Sequence, residues 1–387
     1  MHSKLNTPAL MCATLLLLLS SCYRDKGYRV ASRPDSFNYL HHSISGLNVR
    51  LQNAAQLERT RIVEPLGVNA VDINNDGLTD LIFCGLYDVR VFLNTGGCKF
   101  KDVTVSSGLA GAVNKYKNGG IEVADVNGDG WLDVYVCKQG SPLDSFFTGN
   151  MLFISNSGVF KESSLLYNLN LKGYCRDAVF FDYDNDSDLD LLVAYWPYDE
   201  KGKLVKSLNF SFDFYTIIDS VANKHPHLYE NTPGGFVDVT NIAGLSYCNS
   251  FTNNISVADL NSDGYMDIFV GNDFIGRDYM YLNNGNKTYR EIARNALDQT
   301  CMGAMGVDIA DVNNDLAPDI YIAEMLPIDK VRQKLSFTPY SLDFYNSYKK
   351  YNSISQYQKN FLFVNRNGEV YSEAGFLSNT FATDWSW

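Results

Sequence analysis

The sequence predicts an all-β fold, a β-propeller of four-stranded blades, on three observations. A nine-residue acidic pattern, D-x-[DN]-x-D-G-x-x-D with variation at its sixth position, occurs five times. Short β-branched or aromatic runs bound by turn residues flank every copy, as buried strands do. The first aspartates are spaced by 53, 57, 77 and 52 residues, close to the length of a propeller blade. About five blades are expected, in a ring that this stretch of chain leaves open.

The copies are Asp72 to Asp80, Asp125 to Asp133, Asp182 to Asp190, Asp259 to Asp267 and Asp311 to Asp319. Each unit opens on an inner strand such as Ile121-Glu122-Val123-Ala124 or Ile255-Ser256-Val257-Ala258. After the acidic loop comes a second strand: Leu81-Ile82-Phe83, Val134-Tyr135-Val136, Leu191-Leu192-Val193, Ile268-Phe269-Val270 or Ile320-Tyr321-Ile322. A third strand places an aromatic two residues before Asn or Ser, as in Phe92-Leu93-Asn94 and Phe153-Ile154-Ser155. A Gly- or Asn-bearing turn then leads to a more polar fourth strand, as in Phe100-Lys101-Asp102-Val103. Four residues after each closing aspartate stand Cys84, Cys137, Ala194, Gly271 and Ala323, all small. The two cysteines therefore read as packing residues, and no disulfide framework is expected from the sparse remainder.

Composition narrows the function. The 387 residues carry a net charge of −12, which disfavours nucleic acid as a partner. The 23 Phe and 25 Tyr need a core to bury them, which argues against disorder. The five loops hold 17 of the 44 acidic residues, and without them the net charge would be +5. Carboxylates packed this closely repel one another unless a divalent ion sits among them.

A hard cation prefers a shell of oxygens. Positions 1, 3, 5 and 9, with the backbone carbonyl of position 7, supply one. The expected Ca²⁺ ligands are Asp72, Asn74, Asp76 and Asp80 with the Leu78 carbonyl, then Asp125, Asn127, Asp129 and Asp133 with the Trp131 carbonyl. Loop three gives Asp182, Asp184, Asp186 and Asp190 with Asp188 at the carbonyl position. Loop four gives Asp259, Asn261, Asp263 and Asp267 with the Tyr265 carbonyl, and loop five Asp311, Asn313, Asp315 and Asp319 with the Ala317 carbonyl. Position 12 is Phe83 or Val136 in the first two loops, inside a strand, which excludes an EF-hand. Position 6 is Gly except for Ser187 and Leu316. The extra acid of loop three should strengthen its grip on metal, whereas Leu316 and Pro318 make loop five the poorest match. The calcium expected is structural, in up to five sites; at ten times its dissociation constant each ion would add about 1.4 kcal/mol to stability.

The N-terminus reads as a lipoprotein signal peptide over residues 1–21. Lys4 precedes the apolar run Ala13 to Leu19, too short to span a bilayer, and Leu19-Ser20-Ser21-Cys22 resembles a lipobox. Lipidation of Cys22 would anchor the protein to a membrane. By resemblance to known sorting rules, Tyr23 after that cysteine favours an outer-membrane lipoprotein of the cell envelope, facing either the periplasm or the exterior. Residues 22–35 form a tether. Residues 36–60 hold an orphan outer strand, because Phe37-Asn38-Tyr39-Leu40 through Ser45-Gly46-Leu47 matches the tails Phe100 to Leu109 and Phe236 to Leu245. The blades occupy 61–380, and 381–387 begin a further one. With no inner strands left to pair with the orphan, the chain is expected to be part of a longer or truncated protein.

The loops resemble the FG-GAP/VCBS repeats of integrin α-chain propellers. Together with the lipobox, Glu324-Met325-Leu326-Pro327 followed by Arg332-Gln333-Lys334, and Ala382 to Trp387, they also resemble the CRTAC/ASPIC-UnbV-like lipoproteins of Bacteroidota. The resemblance covers about residues 36 to 387 and implies a calcium-binding propeller at the cell envelope.

Two insertions, Tyr198 to His225 and Leu326 to Asn360, follow second strands and should emerge on one face. Leu208 to Tyr215 in the first, and Tyr340, Phe344, Tyr345, Tyr348 and Tyr351 in the second, suit sugar stacking or protein contact; the alternative is that they pack on each other as a cap. His2, His41, His42, His225 and His227 form no H-E-x-x-H, no G-x-S-x-G occurs, and no catalytic residue is assigned. The expected role is a binding or adhesion module for a glycan or protein; the alternative is a polysaccharide-active lyase or hydrolase.

Overall fold

The structure is a computed structural model that describes residues 42–47, 67–112, 116–198, 201–202, 226–245, 251–273, 276–336 and 354–384. The signal peptide, Cys22, the expected strand at Phe37 to Leu40, most of both insertions with their named tyrosines, and Trp385 to Trp387 lie outside the described residues.

Blade one is an antiparallel meander of β1 (Gly67–Val71), β2 (Asp80–Cys84), β3 (Val89–Asn94) and β4 (Phe100–Asp102). Blade two repeats it with β5 (Lys117–Ala124), β6 (Asp133–Gln139), β7 (Met151–Asn156) and β8 (Val159–Glu162). Blade three has β9 (Tyr174–Phe181), β10 (Asp190–Trp196), β11 (His227–Glu230) and β12 (Val237–Asp238). Blade four has β13 (Phe251–Ala258), β14 (Asp267–Asp273), β15 (Tyr279–Asn283) and β16 (Tyr289–Glu291). After β17 (Gln299–Cys301), blade five combines β18 (Gly306–Ala310) and β19 (Asp319–Ala323) with β21 (Phe361–Asn365) and β22 (Tyr371–Glu373). β20 (Ser355–Tyr357), from the second insertion, pairs in parallel with β17. Inner strands pack in series, β1 on β5, β5 on β9, β9 on β13 and β13 on β18. Among the described residues no strand pairing links blade five back to blade one. Among the described residues the arrangement is a propeller of five blades without a closed barrel.

The core lies between blades. Strands alternate their faces, so each second strand serves two layers. Ile82 and Cys84 meet Val134, Val136 and Ile121 of blade two, while Leu81 and Phe83 turn to the opposite face with Leu47 and Phe100. Tyr135 and Cys137 face Ala178, Leu191 and Val193 of blade three. Leu192 and Ala194 face Ile268 and Val270 of blade four, and Phe269 faces Ile320 and Ile322 of blade five. Covered on both faces, the second strands are buried at nearly every position and do not alternate as a half-exposed strand would.

The small-residue position sits where the next blade's inner strand crosses. A Cβ on Gly271 would lie 2.6 Å from Val307 Cγ2 and 3.1 Å from Ala304 Cβ. Cys84 and Cys137 are buried there, and all five described cysteines are free thiols.

The blade tails repeat a second close contact. Gly46, Gly108 and Gly244 adopt positive φ, and a Cβ on each would fall 2.3, 2.5 and 3.0 Å from the carbonyl oxygens of Phe100, Phe160 and Tyr289. Ser107 and Ala243 accept the amides of Phe160 and Tyr289 at 2.8 Å. Ser45-Gly46-Leu47 thus docks on blade one as the later tails dock on blades two and four, with a helical turn His42–Ser45 leading in.

Overpacking the blade four–five seam should be costly. Gly271→Val is expected to lower the free energy of unfolding by about 1–3 kcal/mol, and Val307→Ala in the same chain to restore part of it, as read from chemical denaturation.

Candidate metal centre

Every acidic loop joins the first and second strands of a blade, so all five lie at one end of the propeller. Loop four shows the wiring. Asp259 accepts the amides of Asp263 at 3.0 Å and Gly264 at 2.9 Å through its two oxygens. Asn261 Oδ1 accepts the Asp263 amide, and Asp263 Oδ1 accepts the Tyr265 amide. Asp267 reaches back to the Leu260 amide at 2.9 Å and across to the Asn283 amide of β15 at 2.8 Å.

Loops one and two reproduce each of these bonds, with Asn94 and Ser155 on the third strand. Loops three and five keep the closing pair through Asn231 and Asn365. The ninth-position aspartates are at most 1% exposed in all five loops. Sequence reading marked the recurring Asn or Ser and the closing aspartate separately; the structure joins them. Because both buried amides need an acceptor, a carboxylate is required where an amide side chain offers only one oxygen.

Backbone geometry explains the rest of the pattern. Position 6 is left-handed throughout, at φ 83, 85, 76, 88 and 70° for Gly77, Gly130, Ser187, Gly264 and Leu316. Position 4 is left-handed as well, at Asn75, Gly128, Asn185, Ser262 and Asn314, a requirement the sequence pattern did not reveal. Asn and Gly tolerate this region best.

Neighbouring blades hold the loops. Asn75 Nδ2 donates to the Gly130 carbonyl at 3.0 Å and Asn185 Nδ2 to the Gly264 carbonyl at 3.1 Å. Asn283 and Asn365 donate to the carbonyls of Tyr183 and Leu260 in the preceding blade's loop, at 2.7 and 2.8 Å. The turn between strands three and four of the next blade covers position 3: Gly158 over Asn74, Gly368 over Asn261.

Loop three differs. Its position 3 is Asp184, and the turn above it supplies Lys287, whose Nζ lies 2.5 Å from Asp184 Oδ2 and 2.7 Å from Glu230 Oε1. Sequence reading gave the extra acids of this loop to metal; the structure gives one of them an ammonium. Its signal was visible only as a lysine in the turn of a different blade.

The donor set fits a hard cation. Carboxylate oxygens of Asp182, Asp184 and Asp190 all lie within 4.8 Å of one another. Asp184 Oδ1 and Asp188 Oδ1 are buried with no hydrogen-bond partner among the described residues. The amide bonds made by positions 1 and 5 consume one lone pair per oxygen and leave others to face an ion. A bound Ca²⁺ would supply the positive charge that lets the loop acids ionise together.

Without a cation the closing acids are held up. Burial pushes Asp190 and Asp267 up to about 7 and Asp133 up to about 6, and their loop neighbours add to the rise against the two amide bonds. Burial raises Asp80 too. In loop five the Leu316 amide, with its neighbours, holds Asp311 below the usual carboxylate range.

A propeller with an acidic cation-type loop in every blade is the class these features define. A family model described as FG-GAP-like repeat matches residues 72–136 and 259–322, and the chain is an FG-GAP repeat protein. The matched segments are loops one and two with the strands between them, and loops four and five likewise. No curated protein matches the chain. Among solved structures, a lectin from Agrocybe aegerita that recognises non-reducing terminal N-acetylglucosamine is 17% identical, with TM-score 0.43 over 80% of this chain and 65% of that one. The V. cholerae biofilm matrix protein Bap1 is 13% identical, with TM-score 0.34 over 80% and 38%. A Bacillus licheniformis rhamnogalacturonan lyase is 16% identical, with TM-score 0.27 over 66% and 52%. The chain spans less than two thirds of each, and likenesses this distant carry no functional weight.

Two outcomes test the site. Asp267→Ala strands two buried amides and should cost about 2–6 kcal/mol in chelated protein, whereas Asp263→Ala, at an exposed position, should cost under about 1 kcal/mol, by urea denaturation. The raised acids set the pH response. Their folded pKa values exceed the ordinary 3.8, so the folded state binds these protons more tightly. That stability is complete below about pH 4 and is lost as pH rises through about 6–7. Chelated protein should therefore melt progressively lower across that window, and the increment conferred by millimolar Ca²⁺ should grow across it.

Proposed function

We propose that this protein is a calcium-stabilised propeller of the cell envelope, anchored through lipidated Cys22, that acts as a binding or adhesion module for a glycan or protein. The observation that carries the calcium reading is the recurrence of one hydrogen-bond wiring in five loops at one end. In loop three it leaves the carboxylate oxygens of positions 1, 3 and 9 within 4.8 Å of one another, a spacing that suits a hard ion.

With ions stiffening one end, the opposite end is free to vary. The connections between second and third strands lie there. They carry the exposed apolar side chains Leu143, Phe146, Ile328, Val331 and Leu335, and both insertions emerge among them. Variable connections on a rigid scaffold suit recognition. The lipid anchor rests on the lipobox-like sequence, and the narrower CRTAC-type likeness on the motifs that suggested it.

Isothermal titration of chelated full-length protein with Ca²⁺ should show uptake, with a rise in melting temperature at millimolar Ca²⁺. No uptake and unchanged melting would end the calcium reading. A glycan array and pull-downs with the same protein, with and without Ca²⁺, test the binding role, and Cys22→Ser should release the protein from membranes.

A further inference from the structure

We propose that Lys287 is a built-in substitute for a divalent ion at loop three: it orders that loop without metal and competes with Ca²⁺ for it. The competition rests on the calcium reading proposed above; the ordering stands apart from it. Loop three is the one acidic loop with a carboxylate at position 3, and that residue is wired differently. In loops one, two and four the position 3 asparagine folds back into its own loop. Its Nδ2 donates to the position 5 carboxylate at 3.0, 3.0 and 2.9 Å, and its Oδ1 accepts the position 5 amide at 3.1 Å. Asp184 has no such hydrogen to give, and the Asp186 amide goes to Asp182. Asp184 Oδ2 instead meets Lys287 Nζ at 2.5 Å, on a side chain only 1% exposed.

The turn between β15 and β16 presents the lysine. Asn284 and Thr288 close that turn, backbone amide to carbonyl at 2.9 Å and side chain to side chain at 2.9 Å. The same ammonium reaches Glu230, at the end of β11, at 2.7 Å, and Glu230 also accepts the hydroxyl of Tyr183, position 2 of loop three, at 3.0 Å. Asn283 holds the Tyr183 carbonyl. Blade four therefore grips loop three at two successive positions. The turns over loops one and four offer no counterpart. Gly158 and Gly368 pack there, and Glu369, in the place that Lys287 takes in its turn, pairs with Arg290. Among the described residues no other loop carboxylate pairs with a lysine or arginine.

Charge gives the pairing its consequence. Loop three carries five carboxylates where each other loop carries three. Those of Asp182, Asp184 and Asp190 come within 4.8 Å of one another, the one such group of three among the described residues. Carboxylates this close repel unless a cation stands by, and here the ammonium is that cation. Removing it would leave a buried charge uncompensated. The ammonium also occupies one Asp184 oxygen and repels a second cation brought to the same few ångströms. The loop with the most acids is thus the one that takes Ca²⁺ least readily.

Full-length protein is compared as wild type, Lys287→Met, Lys287→Met with Asp184→Asn, and Lys99→Met, an exposed lysine in the matching turn of blade one. Melting is followed in chelator, and bound Ca²⁺ is counted by equilibrium dialysis. In chelator Lys287→Met should melt lower by roughly 2–4 °C. The double variant, which gives loop three the asparagine of loops one, two and four, should recover most of that loss. At the free Ca²⁺ that fills the other loops, Lys287→Met should bind one ion more per chain than wild type, at a site roughly tenfold tighter. Asp182→Asn in that background should remove the added ion, which places it in loop three. The double variant should bind the added ion too, and it decides the count if Lys287→Met does not fold. Lys99→Met should change neither readout. Melting in chelator equal to wild type, or an ion count unchanged or reduced in Lys287→Met, would overturn the proposal; a reduced count would make the lysine a support for the ion and not its rival. If no variant takes up Ca²⁺, the calcium reading fails and the competition with it, and melting of Lys287→Met in chelator decides the ordering role by itself.

Discussion

The buried aspartate that closes each acidic loop is the constraint on which the blade depends. Its two oxygens take one amide from the loop's own second residue and one from the end of the third strand. One carboxylate thus ties three strands together at the last rung of the ladder, where Ala258 pairs with Asp267. Removing it would leave two buried donors unsatisfied, which is why an acid persists here in loop five even though Leu316 and Pro318 depart from the pattern.

The same carboxylate couples scaffold to ion chemistry. It is costly to ionise while buried, and the loop's outer acids make it costlier. A divalent ion bound there would convert that repulsion into attraction, and loop order and blade order would become one equilibrium. Blade-to-blade bonds from Asn75, Asn185, Asn283 and Asn365 carry the coupling around the end of the propeller. Loop three differs from the others: Lys287 supplies positive charge from the next blade directly to Asp184.

The two ends of the propeller are built on different economies of charge. At the loop end, acids are exposed or amide-bonded and sit in tandem. At the opposite end, arginine and lysine are buried against single glutamates, and the inserted β20 seals them by pairing with β17.

The sequence alone determined the all-β class, the blade count, the five loops and the strands around them. These depend on local periodicity and on turn chemistry, which a chain displays wherever it folds. It also marked the small residue four places after each loop, though not its reason. That reason is the crossing of the next blade's inner strand, where Gly271 meets Val307. Only the tertiary structure decided the partner of the closing aspartate, the left-handed fourth loop residue and the ammonium at Asp184. All but the loop residue join separate strands or blades, and distance along a chain says nothing about which side chains packing will bring together.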